Sequence, residues 1–185
     1  MKPGSIMHAL GCALVLASAG TAANAADGAA PAKATSVADC VWAATPDKVR
    51  SALLARRPVA AIGDAVSAEQ AEALARACQL PLTGDSAVLV ADTLLAHSMK
   101  TWSVDRLKTY GVSEAALLDA WRRLKPETRK AFSHAFSRGF SPPNAAYDDL
   151  GAAIHDTLRL NGEEPELLVF DFVAAQSVLE RLQAS

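Results

Sequence analysis

The chain has 185 residues, of which 51% are apolar, 21% charged and 5% aromatic, and this balance excludes disordered and fibrous classes and fits one globular domain. The formal net charge is −2, so no global field would recruit nucleic acid or an anionic membrane, and we expect neither as a partner. Ala and Leu are abundant whereas Ile and Thr are scarce, which favours an all-α protein.

The first 25 residues have the three regions of a secretory signal peptide. A short start carries Lys2, an apolar run covers residues 9–20, and small residues lead to a cleavage site after Ala25. The apolar run has about twelve residues, fewer than the roughly 20 that a helix needs to span a bilayer. We therefore expect a periplasmic or secreted protein with no membrane span after cleavage.

A tether and a pair of cysteines follow the predicted signal peptide. Residues 26–38 are rich in Ala, Thr and Ser and are predicted to form a flexible tether, with a single helical domain over residues 39–185. Because disulfides persist in exported proteins, we predict a disulfide between Cys40 and Cys78. Two separate buried thiols are the alternative. No Cys-x-x-Cys motif is present, so the sequence does not support thiol redox catalysis.

Two helix signals come before residue 80. Thr45-Pro46-Asp47 combines a capping hydroxyl, a proline suited to the first helical position and a carboxylate, and it predicts a short helix. Pro58 is expected to stop that helix, and residues 59–66 are expected to form an extended connection. Ser67-Ala68-Glu69-Gln70 has the spacing of a capping box, which opens a helix that ends near Gln79.

The central part of the chain has the clearest helical pattern. Apolar residues recur three and four positions apart over residues 86–102 and predict a helix near the centre of the fold. One or two further turns are expected before Gly111, a residue suited to a left-handed helix terminus. Helices are also predicted over residues 113–124 and 126–140.

Two more helices are predicted near the C-terminus, over residues 145–160 and from Pro165 to about residue 182. Gly151 on the inner face of the first is expected to be a flat spot where another helix approaches closely. Residues 167–173 are rich in Phe and Val, so a short strand competes with helix there, but the residues that follow are helical in pattern. The predicted fold is an irregular or orthogonal bundle of six to seven short helices with one disulfide.

The sequence offers one candidate for catalysis. His155 lies at the edge of an apolar helix face and Asp148 lies two turns earlier on the same edge, so the two side chains are a candidate oriented base, with Arg159 one turn later to hold an anionic substrate. The alternative is a boundary histidine beside a solvated acid. No metal-ligand, phosphate-loop or dinucleotide-binding spacing is present, and we expect no metal and no cofactor. The side chains of His97 and Asp171 are both expected to be exposed.

Charge is distributed unevenly along the chain. Residues 105–138 carry an excess of basic side chains, whereas residues 144–185 carry an excess of acids. Five basic residues flank the helix start at Pro126: Arg122, Arg123, Lys125, Arg129 and Lys130. They are a candidate binding site for an anionic ligand or another envelope protein, because a helix start has unpaired backbone amides. The alternative is a solvated surface whose charge helps the middle and last helices dock.

Three functions compete on these observations. A compact helical domain on a tether, without a catalytic constellation, favours a non-catalytic binding or accessory protein of the bacterial envelope. The second hypothesis is a small hydrolase or lyase that uses His155 with Asp148. The third is a binder of an apolar ligand in an aromatic-lined helical pocket. The candidate lining of that pocket consists of Met99, Trp102, Trp121, Phe132, Phe136 and Phe140.

Overall fold

The computed structural model describes residues 36–138 and 141–184, with side chains described except at residues 135–138. The predicted signal peptide, and the predicted tether as far as residue 35, lie outside these residues. Within them, the regular structure is helical throughout and contains no strand. The predicted all-α class is therefore confirmed for the described part of the chain.

The described residues contain nine α-helices, so the predicted count of six to seven is wrong. They are α1 (Val37–Ala44), α2 (Asp47–Leu54), α3 (Pro58–Ala65), α4 (Ala68–Ala77), α5 (Gly84–Leu107), α6 (Glu114–Arg123), α7 (Pro126–Arg138), α8 (Asn144–Ala152) and α9 (Glu163–Gln183). A 3-10 turn over Lys108–Tyr110 continues α5, and a π-helical segment over Ala153–Leu158 continues α8.

The two additional helices are α1 and α3. Pro58 takes the first position of α3, where its missing N–H is not needed, and the expectation of an extended chain over residues 59–66 is wrong because α3 covers most of it. The first helix begins at Val37, two residues before the expected domain start. Ser36 caps it, since its Oγ accepts a hydrogen bond of 3.1 Å from the backbone N–H of Asp39.

Local signals elsewhere have mixed outcomes. The capping box is confirmed: the N–H of Gln70 donates to Ser67 Oγ at 3.2 Å, and the N–H of Ser67 donates to Gln70 Oε1 at 2.7 Å. Gly111 is left-handed, with φ of 78°. Residues 167–173 are helical, as part of α9. The expected close approach at Gly151 is wrong, because a Cβ there would meet no described atom of a neighbouring element within 4 Å.

Most of the buried side chains form two large apolar clusters that share α5. The N-terminal cluster contains Val41, Val49, Leu53, Ala61, Leu74, Ala75, Val90 and Leu94. The C-terminal cluster contains Val104, Leu107, Val112, Leu117, Trp121, Leu124, Phe132, Ala146, Leu150, Ile154, Leu160, Leu168, Val169, Phe172 and Val173. The first half of α5 thus packs on α1 to α4, and its second half contributes Val104 and Leu107 to the C-terminal cluster. The last helix, α9, runs along α5 and contacts both halves, so the predicted central position of α5 is confirmed.

Covalent and polar contacts reinforce both clusters. The predicted disulfide is present: Cys40 on α1 is bonded to Cys78 at the end of α4, with a Cα–Cα distance of 5.9 Å. In the C-terminal cluster the indole N–H of Trp121 donates to Glu180 Oε1 at 2.6 Å, which links α6 to α9. Phe132 is completely buried and makes an edge contact with Phe170 at a ring-centroid distance of 6.1 Å.

Candidate ligand site

The residues predicted for catalysis lie on the surface of α8 and of the π-helical segment that continues it. His155 is exposed on the π-helical segment, and its Nδ1 is 3.1 Å from the carbonyl oxygen of Leu160. Asp148 and Arg159 are also exposed. In the part of the chain that the structure describes, no hydrogen bond or ion pair joins these three side chains, and none of them lines the cavities described below. Their catalytic role stays a prediction.

The predicted anion site surrounds the junction of α6 and α7. Its members are Arg122, Arg123, Lys125, Arg129 and Lys130, of which Arg129 is half-buried and the others are exposed. Two of them already have acidic neighbours. Arg123 Nε donates to Asp119 at 2.8 Å, and the backbone N–H of Lys125 donates to Asp149 Oδ2 at 3.1 Å. The Asp149 carboxylate thus lies at the start of α7, where a bound anion was expected.

A cavity of about 310 Å³ lies between α3, α5 and α9, and we call it the apolar cavity. Its lining consists of Val59, Asp92, Leu95, Ala96, Met99, Asp171, Ala174, Ala175, Val178 and Arg181. Seven of these ten residues are apolar and none is aromatic. Its volume is at the lower end of the range of roughly 300–1,000 Å³ that is usual for small-molecule sites.

Small residues on α9 explain why this space exists. Ala174 and Ala175 present only methyl groups to the cavity, whereas Leu95, Met99 and Val178 form its larger walls. The space is open to solvent, since Val59 is exposed and the side chains of Asp92 and Arg181 are partly exposed. A concave space with a mainly apolar lining and a few polar groups is the usual form of a small-molecule site.

Two ion pairs contribute to the lining of the apolar cavity. Asp92 on α5 lies 3.7 Å from Arg181 on α9, and both side chains are partly exposed. Arg57, in the connection between α2 and α3, donates from Nη2 to Asp171 Oδ1 at 2.6 Å. The Asp171 side chain is only 6% exposed, so the expectation that it is solvated is wrong. Asp171 lies on α9, which is covered by other elements on most sides. A helical wheel drawn for α9 alone does not show this burial.

A second cavity, of about 350 Å³, also includes Asp171, and we call it the acidic cavity. Its lining consists of Arg57, Trp102, Glu163, Glu164, Leu167, Leu168 and Asp171. The indole Nε1 of Trp102 is buried there without a hydrogen-bond partner among the described residues. A hydrogen bond with Glu164 raises the pKa of Tyr110 above its ordinary value.

Of the predicted pocket lining, the four residues whose side chains are described do not line one common cavity. Met99 lines the apolar cavity and Trp102 lines the acidic cavity, whereas Trp121 and Phe132 are buried in the C-terminal cluster. The side chains of Phe136 and Phe140 lie outside the described residues. Sequence reasoning missed the contribution of α3, since Val59 was assigned to an extended connection, and it missed Asp171, since that carboxylate was expected to be solvated.

His97 is, after Asp171, the second polar residue whose burial the sequence did not reveal. Its ring stacks on Trp42 with centroids 5.1 Å apart and planes 8° apart, because α1 covers this face of α5. Burial lowers the pKa of His97 to about 4; the Asp39 carboxylate opposes this shift, Lys100 adds to it, and a hydrogen bond to the Ala38 backbone opposes it. His97 is therefore neutral at neutral pH and packs as an aromatic ring.

The fold and the cavities define a small all-α protein with one disulfide and an apolar cavity between three helices. Among the described residues, no cluster of His, Cys, Asp or Glu is placed to hold a metal ion. None of the described helices combines the length and apolar content needed to cross a membrane. Comparison with protein-family models, curated proteins and solved structures finds no match for this chain.

Proposed function

We propose that the protein is an exported, non-catalytic binding protein of the bacterial envelope that takes a small apolar molecule into the apolar cavity. The observation that carries this proposal is the aliphatic lining of a cavity of about 310 Å³ between α3, α5 and α9. Burial of apolar ligand surface there would gain about 25 cal/mol for each Å² removed from water. The alternative, an enzyme built on His155 and Asp148, has less support, because neither residue lines the apolar or the acidic cavity.

Export is supported by two features that lie in different parts of the chain. Residues 1–25 have the pattern of a signal peptide, and the disulfide between Cys40 and Cys78 is typical of proteins in an oxidising compartment. The test is the mass of the protein produced with its own N-terminal segment. We expect cleavage after Ala25 and a mass lower by two hydrogens than that of the reduced chain. Full-length, reduced protein would contradict export.

Binding can be tested with 1-octanol as a neutral apolar probe and the complete mature chain. The expected result is saturable binding, with backbone amide shifts in two-dimensional NMR spectra concentrated on α3, α5 and α9. Saturable binding without shifts on these three helices would place the site elsewhere and would contradict the proposal. No saturable binding of 1-octanol or 1-decanol would also contradict it.

A pair of valines provides a matched test of the site. Val59 lines the apolar cavity and is 55% exposed, whereas Val88 is 59% exposed on α5 and lines none of the cavities described above. Val59→Phe places a larger side chain at the cavity from an exposed position, and we expect it to weaken binding of 1-octanol by at least about tenfold. Val88→Phe makes the same change elsewhere and should leave binding unchanged. Equal effects of the two substitutions would refute the site.

A further inference from the structure

Asp171 is a buried carboxylate that lines both the apolar and the acidic cavity. A carboxylate in such a position is stable only with a positive partner, because the charge has lost most of its water. Its partner in the described structure is Arg57, at 2.6 Å. Because this negative charge lies beside the apolar cavity, it influences which charge a ligand in that cavity can carry.

In the Arg57–Asp171 pair, the arginine can be replaced by another cation more easily than the aspartate can be replaced by another anion. Asp171 is fixed on α9 and its side chain is 6% exposed, whereas the Arg57 side chain is 52% exposed and extends from the connection before α3. The guanidinium group of Arg57 can turn into water and be hydrated, but the carboxylate cannot. A second cation that reaches Asp171 would therefore replace Arg57 without leaving either charge unsolvated.

The surrounding charges favour a cation over an anion. The carboxylates that line the two cavities are those of Asp92, Asp171, Glu163 and Glu164, and the guanidinium groups are those of Arg57 and Arg181. The linings therefore contain more negative than positive groups, and an anionic ligand would enter beside the buried charge of Asp171.

We propose that the ligand of the apolar cavity carries one alkylammonium group, which binds Asp171 in place of Arg57, while its hydrocarbon part packs on Leu95, Met99 and Val178. This inference rests on the proposed function, because it names the chemical class of the ligand for the same cavity. Asp171 would set the preference for a cation. Arg57 would be a competing internal cation, which lowers the affinity for the ligand.

The test compares three probes of equal chain length at pH 7: n-octylamine, 1-octanol and octanoate. We expect n-octylamine to bind about tenfold more tightly than 1-octanol, and octanoate to bind more weakly than 1-octanol. Arg57→Gln should tighten binding of n-octylamine by about a further tenfold and leave 1-octanol unchanged, because it removes the competing cation. Asp171→Asn should reduce the affinity for n-octylamine to that for 1-octanol.

The chain provides a matched control at the preceding residue. Arg56 is paired with the exposed Asp64, so Arg56→Gln makes the same change in charge one residue away, and it should leave the affinity for n-octylamine unchanged. If Asp171→Asn fails to fold, the comparison between Arg57→Gln and Arg56→Gln decides the matter, and if Arg57→Gln also fails to fold, the ranking of the three probes on the natural chain decides it. If the two substitutions change the affinity for n-octylamine equally, the effect comes only from the change in net charge, and the inference is overturned.

The remaining outcomes separate the inference from the proposed function. Binding of 1-octanol with no preference for n-octylamine overturns the cation site and leaves the apolar cavity as a binding site. If octanoate binds more tightly than the other two probes, Arg57 is the partner of the ligand, and the role of Asp171 is overturned. If 1-octanol binds more tightly to Arg57→Gln than to the natural chain, Arg57 only obstructs the cavity. That result also overturns the cation site. Failure of all three probes to bind refutes the proposed function itself.

Discussion

Acidification from pH 7 to pH 5 is expected to destabilise the fold through His97. Burial under Trp42 holds the pKa of this histidine near 4 in the folded protein, against an ordinary value of 6.5. As the pH falls below 6.5, the unfolded chain binds a proton at His97 and the folded chain does not. The contribution of His97 to the free energy of unfolding is therefore fully present above pH 6.5, and it is lost progressively as the pH falls towards 4.

The magnitude follows from the separation of the two pKa values. At pH 5 the solution lies about 1.5 pH units below the ordinary pKa of histidine and above the pKa in the folded state, so the loss from this residue is about 2 kcal/mol. The opposing influences of Asp39 and Lys100 are already part of the folded value of about 4. A cost of about 2 kcal/mol lowers the midpoint of thermal unfolding by roughly 6 °C in a domain of this size.

Urea unfolding followed by circular dichroism measures this effect in the complete mature protein and in His97→Phe. Phe keeps a ring against Trp42 but does not titrate, so the fall in the free energy of unfolding between pH 7 and pH 5 should be about 2 kcal/mol smaller in the variant. Between pH 7 and pH 8 the two proteins should change alike. If the variant loses as much stability as the natural chain between pH 7 and pH 5, His97 is not held neutral by burial. His97→Gln provides a second non-titrating variant if the Phe ring does not fit.

Three further changes test the packing. Reduction of the disulfide between Cys40 and Cys78 should lower the free energy of unfolding by about 4 kcal/mol in the chain-entropy model, and an unchanged thermal midpoint in reductant would contradict this. Trp121→Phe removes the indole N–H that reaches Glu180 and should cost about 1–3 kcal/mol in urea unfolding, so a loss below about 0.5 kcal/mol would show that the bond contributes little. Phe132→Ala should cost about 3–5 kcal/mol by the same measurement, because the ring is completely buried; a smaller loss would mean that its neighbours collapse into the space.

The features that could be predicted from the sequence are those set by a few neighbouring residues. The reciprocal hydrogen bonds of Ser67 and Gln70, the left-handed Gly111 and the three-and-four spacing in α5 each depend on one short stretch of chain. The disulfide could also be predicted, because only two cysteines follow the predicted signal peptide and export favours their pairing. These local rules are enough to establish the all-α class.

One of the two helices that were missed, α3, shows where local rules give two answers. Pro58 is equally suited to follow one helix and to begin the next, and here it does both, since α2 ends at Leu54 and α3 begins at Pro58. Val59 and Gly63 lower the intrinsic helix propensity of this segment. Burial of Pro58 and Ala61 outweighs that propensity, and burial depends on α2 and α5, which lie outside the local window.

The candidate site could not be predicted because its contacts are distant in sequence. Arg57 and Asp171 are 114 residues apart, and the burial of each depends on how whole helices are arranged. A helical wheel places Asp171 and His97 correctly on their own helices, but it does not include α1 or the connection before α3, which cover them. Met99 and Trp102 were selected as a lining from their helical spacing, and they line two different cavities.

The sharing of α5 by both apolar clusters restricts how the length of this protein can change. Val90 and Leu94 belong to the N-terminal cluster, and Val104 and Leu107 belong to the C-terminal cluster. Each residue of an α-helix adds 1.5 Å and 100° of rotation, so a single insertion between Leu94 and Val104 would turn one cluster by about 100° relative to the other. Length changes inside α5 should therefore be tolerated only near two full turns, about seven residues, whereas loops such as residues 81–83 can lengthen one residue at a time.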